Sequence, residues 1–211
     1  MKNSSNSFAM IRMLGIVSLV CGVLIVVTKV NTLARIRQNQ EIMMKESVAQ
    51  LLPGIEKQVI YGVEASGELK ILPGVEGEGK RLFAGYDSTG RFLGVVIEAA
   101  DRGYADVINA MYSYSPDQQK ITGFQVIDMR ETPGLGNRIG TDKEFAKNFE
   151  ALDATRPIKA VKHGTKKAPS EIDAISGATI SSRAVGRMLD HSVHEMAPII
   201  QRNLDRIRRG N

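Results

Sequence analysis

The stretch Met13–Thr28, MLGIVSLVCGVLIVVT, holds no charged residue. No other segment of the 211-residue chain limits its folding as tightly. As a helix this run spans only ~24 Å, short of the hydrocarbon core of a bilayer, which is about 30 Å thick. Extended back to Phe8 it reaches ~31 Å. The extension takes in Arg12, whose long side chain can snorkel to the headgroups one turn inside the end. The reading is one transmembrane helix over residues 8–28, with a short N-terminus at 1–7 and membrane lipid as its surroundings. A cleaved secretory leader fits less well, because no A-x-A-like site follows and the chain continues as Thr28-Lys29-Val30-Asn31. A lipoprotein leader would use Cys21, and Val20 is too large for the small residue expected before such a cysteine. Charge does not orient the helix, since Lys2 and Arg12 precede the run and Lys29, Arg35 and Arg37 follow it.

Composition removes several function classes. Trp is absent and aromatics are 5%, which argues against a stacking platform for single-stranded nucleic acid. The single Cys excludes a disulfide framework and any Cys-rich zinc or iron–sulfur site within the chain. No metal site is expected, and no catalytic residue is assigned. The net charge of +5 is spread over loops and tail. Lys159, Lys162, Lys166 and Lys167 form a basic loop that could raise the potential of a nearby cofactor, meet an acidic partner or simply be solvated. Arg202, Arg206, Arg208 and Arg209 read as a solvated tail. His191 and His194, without a third ligand, read as surface or half-buried helix residues.

After the anchor the pattern is helical and amphipathic over residues 29–54. Leu33, Ile36, Met43, Val48, Leu51 and Leu52 are the candidate buried positions, and Pro53-Gly54 stops the helix. This is a stalk helix leading into a domain over residues 55–211. Strands are expected at Val59–Val63, Glu68–Leu72, Arg81–Tyr86, Phe92–Ala99, Val107–Tyr114 and Ile121–Asp128. The first pair flanks Ala65-Ser66-Gly67, the second Asp87-Ser88-Thr89-Gly90, and Pro73–Gly79 is a loop. A short helix over Asp142–Asn148 takes Thr141 as its N-cap, and Ile158–Lys162 is a short strand. Ser182–Arg209 has helical spacing with an apolar stripe, and Pro198 should kink or break it. The fold class is α+β: an antiparallel-rich sheet with packed helices, tethered to a membrane.

Two motifs carry the chemistry. Asp173-Ala174-Ile175-Ser176-Gly177-Ala178-Thr179 is a turn of small residues running into a helix. Gly177 permits a positive φ, and Ser181 or Ser182 can cap the helix. Thr179 then sits beside unpaired N–H groups, where the helix dipole favours an anion such as phosphate. Read alone, it is better explained as an ordinary capped turn without a ligand. Glu131-Thr132-Pro133-Gly134-Leu135-Gly136 is a tight Pro-Gly loop. Its Thr132 hydroxyl and Leu135 side chain could serve the polar edge and the face of a planar ring, and Gly136 leaves room for such a ring.

Together the motifs resemble the FMN-binding domain family of bacterial membrane redox complexes. D-A-I-S-G-A-T matches that family's flavinylation pattern, D-x-x-[ST]-G-A-[TS], and the E-T-P-G-L-G loop lies near the flavin. Within it, the chain looks like the G subunits of Rnf-type ion-translocating electron transport complexes. The C subunits of sodium-translocating NADH:quinone reductases share both motifs but are usually longer. The segment Gly103-Tyr104-Ala105-Asp106-Val107-Ile108 departs from the family, where more glycine is expected.

The resemblance implies FMN esterified through its phosphate to Thr179, so a flavoprotein modified at a threonine. It also implies that Asp173, Ser176, Gly177 and Ala178 are read by a flavin transferase, and that Glu131, Thr132, Gly134, Leu135 and Gly136 lie at the cofactor. It implies an electron carrier among the other subunits of an inner-membrane complex, with residues 1–7 cytoplasmic and the FMN domain on the periplasmic side. The alternatives are a membrane-anchored structural or assembly subunit without covalent flavin, the equivalent subunit of a sodium-translocating NADH:quinone reductase, and a binding protein released from the membrane.

Overall fold

A computed structural model describes residues 4–64, 66–74 and 79–210; the side chains of residues 4–7, 34, 36–38 and 40 lie outside the description. Ala65 of the first expected turn, residues 75–78 of the expected loop and the Ile36 side chain therefore fall outside it. The chain divides into two compact units, Met1–Met44 and Lys45–Asn211.

Helix α1 runs unbroken over Ser4–Leu51, with no joint between the expected anchor and stalk. Its segment Phe8–Leu33 is long and apolar enough to cross a membrane, and it is longer than the 8–28 expected from the charge-free run. Two hydroxyls inside it are satisfied within the helix. Thr28 Oγ1 donates to the Leu24 carbonyl at 2.8 Å, and Thr32 Oγ1 to the Thr28 carbonyl at 2.8 Å. Such back-bonding lets a hydroxyl sit in an apolar stretch without an orphaned donor. Of the expected stalk positions, Val48, Leu51 and Leu52 are buried, while Leu33 and Met43 are exposed.

The second unit is built on a seven-stranded antiparallel sheet. Its strands are β1 (Lys57–Val63), β2 (Leu69–Leu72), β3 (Arg81–Tyr86), β4 (Phe92–Arg102), β5 (Val107–Ser115), β6 (Lys120–Asp128) and β7 (Leu152–Asp153), in the order β2-β1-β3-β4-β5-β6-β7. Between β6 and β7 lies the short helix α2 (Lys143–Ala146). Beyond them β8 (Lys159–Val161) and β9 (Glu171–Asp173) form a small parallel pair. Helices α3 (Thr179–Arg202) and α4 (Leu204–Arg209) close the chain.

One sheet face and α3 share a core that includes Tyr61, Leu82, Val95, Ile97, Tyr112, Val185, Leu189, Val193 and Ile200. On the sheet's glycines rest Leu51 and Leu52. A Cβ at Gly85 would lie 2.6 Å from Leu52 Cδ1, and one at Gly123 3.0 Å from Leu51 Cδ2. Glycine at these points flattens the strands so that the end of the Leu-Leu segment can land on them.

Three local expectations are corrected. Asp142, not Thr141, caps α2, accepting from Glu144 N at 3.0 Å and Phe145 N at 3.2 Å. Pro198 lies inside α3 on its exposed side, so the carbonyl it leaves without a partner reaches water and the helix continues. The break comes at Asn203, whose N–H bonds back to the carbonyls of Ile199 and Ile200. The last six helical residues are not a loose tail. Ile207 is fully buried, its carbonyl accepts from the Tyr86 hydroxyl, and Arg208 pairs with Asp117.

Candidate functional site

The helix α3 begins at Thr179 itself, earlier than its apolar periodicity indicates. The residues before it explain why. Gly177 has φ +84°, a left-handed conformation that turns the chain sharply, and Ala178 occupies the N-cap without a side-chain cap bond. Thr179 is half-buried and Ser176 is exposed. The N–H groups of the first turn have no partner within the helix.

Ser181 and Ser182, expected as caps, lie inside that first turn and bond elsewhere. Ser182 Oγ donates to the Ala178 carbonyl at 2.9 Å and accepts from Ile175 N at 3.1 Å, closing the turn on itself. Ser181 Oγ donates to Glu131 Oε2 at 2.7 Å.

Glu131 is the meeting point of three segments. Only 7% exposed, it accepts from Ser181 and, through Oε1, from Tyr104 N at 2.8 Å and Ala105 N at 3.1 Å. Two glycines leave space for its carboxylate. A Cβ at Gly103 would lie 2.3 Å from Oε1 and one at Gly136 2.3 Å from Oε2, with Ser181 Oγ at 2.8 Å. The room at Gly136 is thus filled by protein rather than left for a ring.

The rest of the loop is folded on itself. Leu135 N donates to the Thr132 carbonyl at 3.2 Å, and Gly134 N, with φ +75°, donates to Asn137 Oδ1 at 2.8 Å. Thr132, Pro133, Gly134 and Leu135 are exposed. Leu135 reaches the turn at Gly177, its Cδ2 standing 3.3 Å from where a Gly177 Cβ would be. The two motifs, distant in sequence, are therefore adjacent in the fold. Around them stand three exposed apolar side chains: Leu135 at 49%, Ile180 at 51% and Tyr104 at 65%.

Asp173 anchors the other end of its motif. Its Oδ1 accepts from Gly164 N at 2.7 Å and its Oδ2 lies 3.4 Å from His163 Nδ1. Asn148 brackets its backbone, accepting from Asp173 N at 2.9 Å and donating to its carbonyl at 3.3 Å. Beside it opens a cleft of ≈ 430 Å³ whose lining includes Arg138, Asp142, His163, Lys166, Asp173 and Ser176.

Charged and polar side chains share this cleft with Phe145, Ala174 and Ile175. Arg138 pairs with Asp142 at 2.5 Å, and Lys166 Nζ donates to Asn148 Oδ1 at 3.1 Å. Asp142 is held below its usual carboxylate range, first by the Phe145 N–H and then by Arg138. Glu171 is likewise lowered, by the N–H groups of Lys167 and Ala168. Of the expected basic loop, Lys159 lies 3.4 Å from Glu171, while Lys162 and Lys167 are exposed. His194 is exposed and bonds the Asp190 carbonyl in its own helix at 2.8 Å.

A phosphate and a planar apolar ring fit this arrangement at different places. The hydroxyl and open N–H groups at the start of α3 suit a phosphoester. The exposed Leu135, Ile180 and Tyr104 offer apolar surface to a ring, whereas the charged cleft would have to desolvate ion pairs to take one.

The FMN-binding domain family matches residues 103–194. The chain is 32% identical over 197 residues to the G subunit of the ion-translocating oxidoreductase complex of Methanosarcina acetivorans, covering 92% of this chain and 96% of that one. This chain belongs to the G-subunit family of ion-translocating oxidoreductase complexes. Another member, the G subunit of the Na(+)-translocating ferredoxin:NAD(+) oxidoreductase complex of Acetobacterium woodii, is 29% identical over 77% of this chain and 72% of its own length. The fold matches the crystal structure of the C subunit of Na(+)-translocating NADH-quinone reductase from Parabacteroides distasonis. The TM-score is 0.59 at 21% identity, covering 79% of this chain and 96% of that one.

The sequence alone does not reveal the partners of Glu131 or the exposure of Ile180 beside the turn. Two of those partners are backbone N–H groups, which no side-chain pattern reports. The usable signal was the pair Gly103 and Gly136, each marking a place where a side chain would not fit.

Proposed function

We propose that this subunit carries electrons inside a membrane-bound ion-translocating redox complex, using FMN esterified through its phosphate to Thr179. The observation that carries the reading is the placement of Thr179: a half-buried hydroxyl at the first residue of a 24-residue helix, beside the Leu135 loop. Bound there, the flavin supplies the redox chemistry. The protein contributes position. The first-turn N–H groups would hold the phosphate, which would keep one negative charge as an ester, and Leu135, Ile180 and Tyr104 would shield the ring. Asp173, Ser176, Gly177 and Ala178 form the turn presented to a flavin transferase. Glu131, Thr132, Gly134, Leu135 and Gly136 form the neighbouring wall.

A covalent tether keeps the cofactor at high effective concentration beside the other subunits of the complex. In this reading residues 1–7 are cytoplasmic, α1 crosses the inner membrane once and the FMN domain stands on the periplasmic side. The test is fluorescence of the protein band in a denaturing gel, from cells that also make the transferase. Wild type should fluoresce and Thr179→Ala should be dark. A dark wild-type band would instead favour a structural subunit without covalent flavin.

A further inference from the structure

Resting on that reading, we infer that Glu131 is a positioning residue that sets both the placement and the redox potential of the flavin. Its carboxylate is buried, and its three bonded partners, Tyr104 N, Ala105 N and Ser181 Oγ, are all uncharged. The three residues with exposed apolar side chains are tied to it through the backbone: Tyr104 N bonds it, Leu135 is the chain neighbour of Gly136, and Ile180 is the chain neighbour of Ser181. The carboxylate is therefore buried behind the segments that carry this apolar surface, bonded to a serine two residues along α3 from Thr179.

Placement follows from the ties. A single carboxylate fixes the 103–105 turn, the start of the Pro-Gly loop and the first turn of α3 relative to one another. The clearance at Gly103 and Gly136 shows that the backbone is shaped around it. The potential follows from the charge. Neutral donors spread a negative charge but do not cancel it, and burial weakens the screening that water would supply. Reduction would add negative charge to a flavin bound at this surface, so a fixed carboxylate beneath the neighbouring backbone would disfavour it and lower the midpoint potential.

Full-length protein co-produced with the transferase and purified in detergent tests this by spectroelectrochemical titration, after mass spectrometry has confirmed the flavin. Glu131→Gln keeps the side-chain shape, an oxygen for the two backbone N–H groups and an amide able to donate to Ser181, so the fold should persist. Thermal unfolding in a Thr179→Ala background checks this apart from the cofactor. Glu131→Gln should move the midpoint to a more positive value. Ser181→Ala, which removes one tie and keeps the charge, should lower the unfolding temperature and leave the midpoint near that of wild type. Ser181→Ala, which loses a tie, should also raise the mobility of the flavin read by fluorescence anisotropy, whereas Glu131→Gln should not. An unchanged midpoint in Glu131→Gln, or an equal shift in Ser181→Ala, overturns the inference while leaving the function standing. Wild type without flavin overturns both.

Discussion

Two carboxylates hold the segment around Thr179, and they do so in opposite environments. Glu131 is buried among neutral donors and has two glycines shaped around it. Asp173 is half-exposed, bonds Gly164 N and lies against His163 at the edge of a cleft. The first sits where moving any neighbour requires repacking. The second sits where water can replace a lost partner. The comparison separates a rigid side of the site, which places the helix start and the apolar surface, from a solvated side, which borders Ser176.

Substitutions can break or sharpen this contrast. The largest effect belongs to the residue the two sides present. Thr179→Val keeps the side-chain size and removes the hydroxyl, so covalent flavin should fall to zero while the thermal unfolding midpoint stays close to that of wild type. Next is Gly136→Ala on the rigid side. Its new methyl would fall 2.3 Å from Glu131 Oε2, and denaturant unfolding should show a loss of about 1–3 kcal/mol. Asp173→Ala on the solvated side should cost less, about 0.5–1.5 kcal/mol by the same measurement. A greater loss at Asp173 than at Gly136 would reverse the assignment of the two sides.

The smallest effect is on pH dependence. The Asp142 carboxyl is lowered in the folded protein by the Phe145 N–H and Arg138, so its ionised form is the one the fold favours. The stabilisation is fully present above the ordinary carboxylate range, near pH ~4, and is lost as pH falls through the lowered value. Asp142→Asn should therefore differ from wild type most at neutral pH and converge with it in acid, as followed by thermal unfolding across pH. Asparagine also caps helices well, which keeps the difference small.

The sequence revealed most where local chemistry decides the structure. Strand β3 was legible to its ends because Asp87-Ser88-Thr89-Gly90 makes the turn that follows it. Asp87 accepts from Thr89 N and Arg91 N, both at 2.9 Å, and these bonds with that of the Thr89 hydroxyl pull its carboxyl down to about 2. The alternation in β1, β4, β5 and β6 likewise located the strands to within a few residues. The apolar run gave the anchor but not its length, because a helix continues through polar residues when nothing interrupts it.

The start of α3 was misplaced for a related reason. Ser181 and Ser182 are good caps in isolation, but one bonds a buried carboxylate 50 residues earlier and the other closes the preceding turn. Pro198 misled because its cost depends on which side of the helix it occupies. The two motifs were visible as motifs. That Leu135 meets Gly177, and that Glu131 knots the site from below, are tertiary facts that spacing does not encode.

The central claim is that the Thr179 hydroxyl carries the flavin. Intact-mass and peptide-level mass spectrometry of protein made with its flavin transferase tests it most directly. The account predicts one FMN per wild-type chain, located on the peptide containing Thr179, and none on Thr179→Val. A wild-type chain at its unmodified mass, or a variant that still carries FMN, would contradict it.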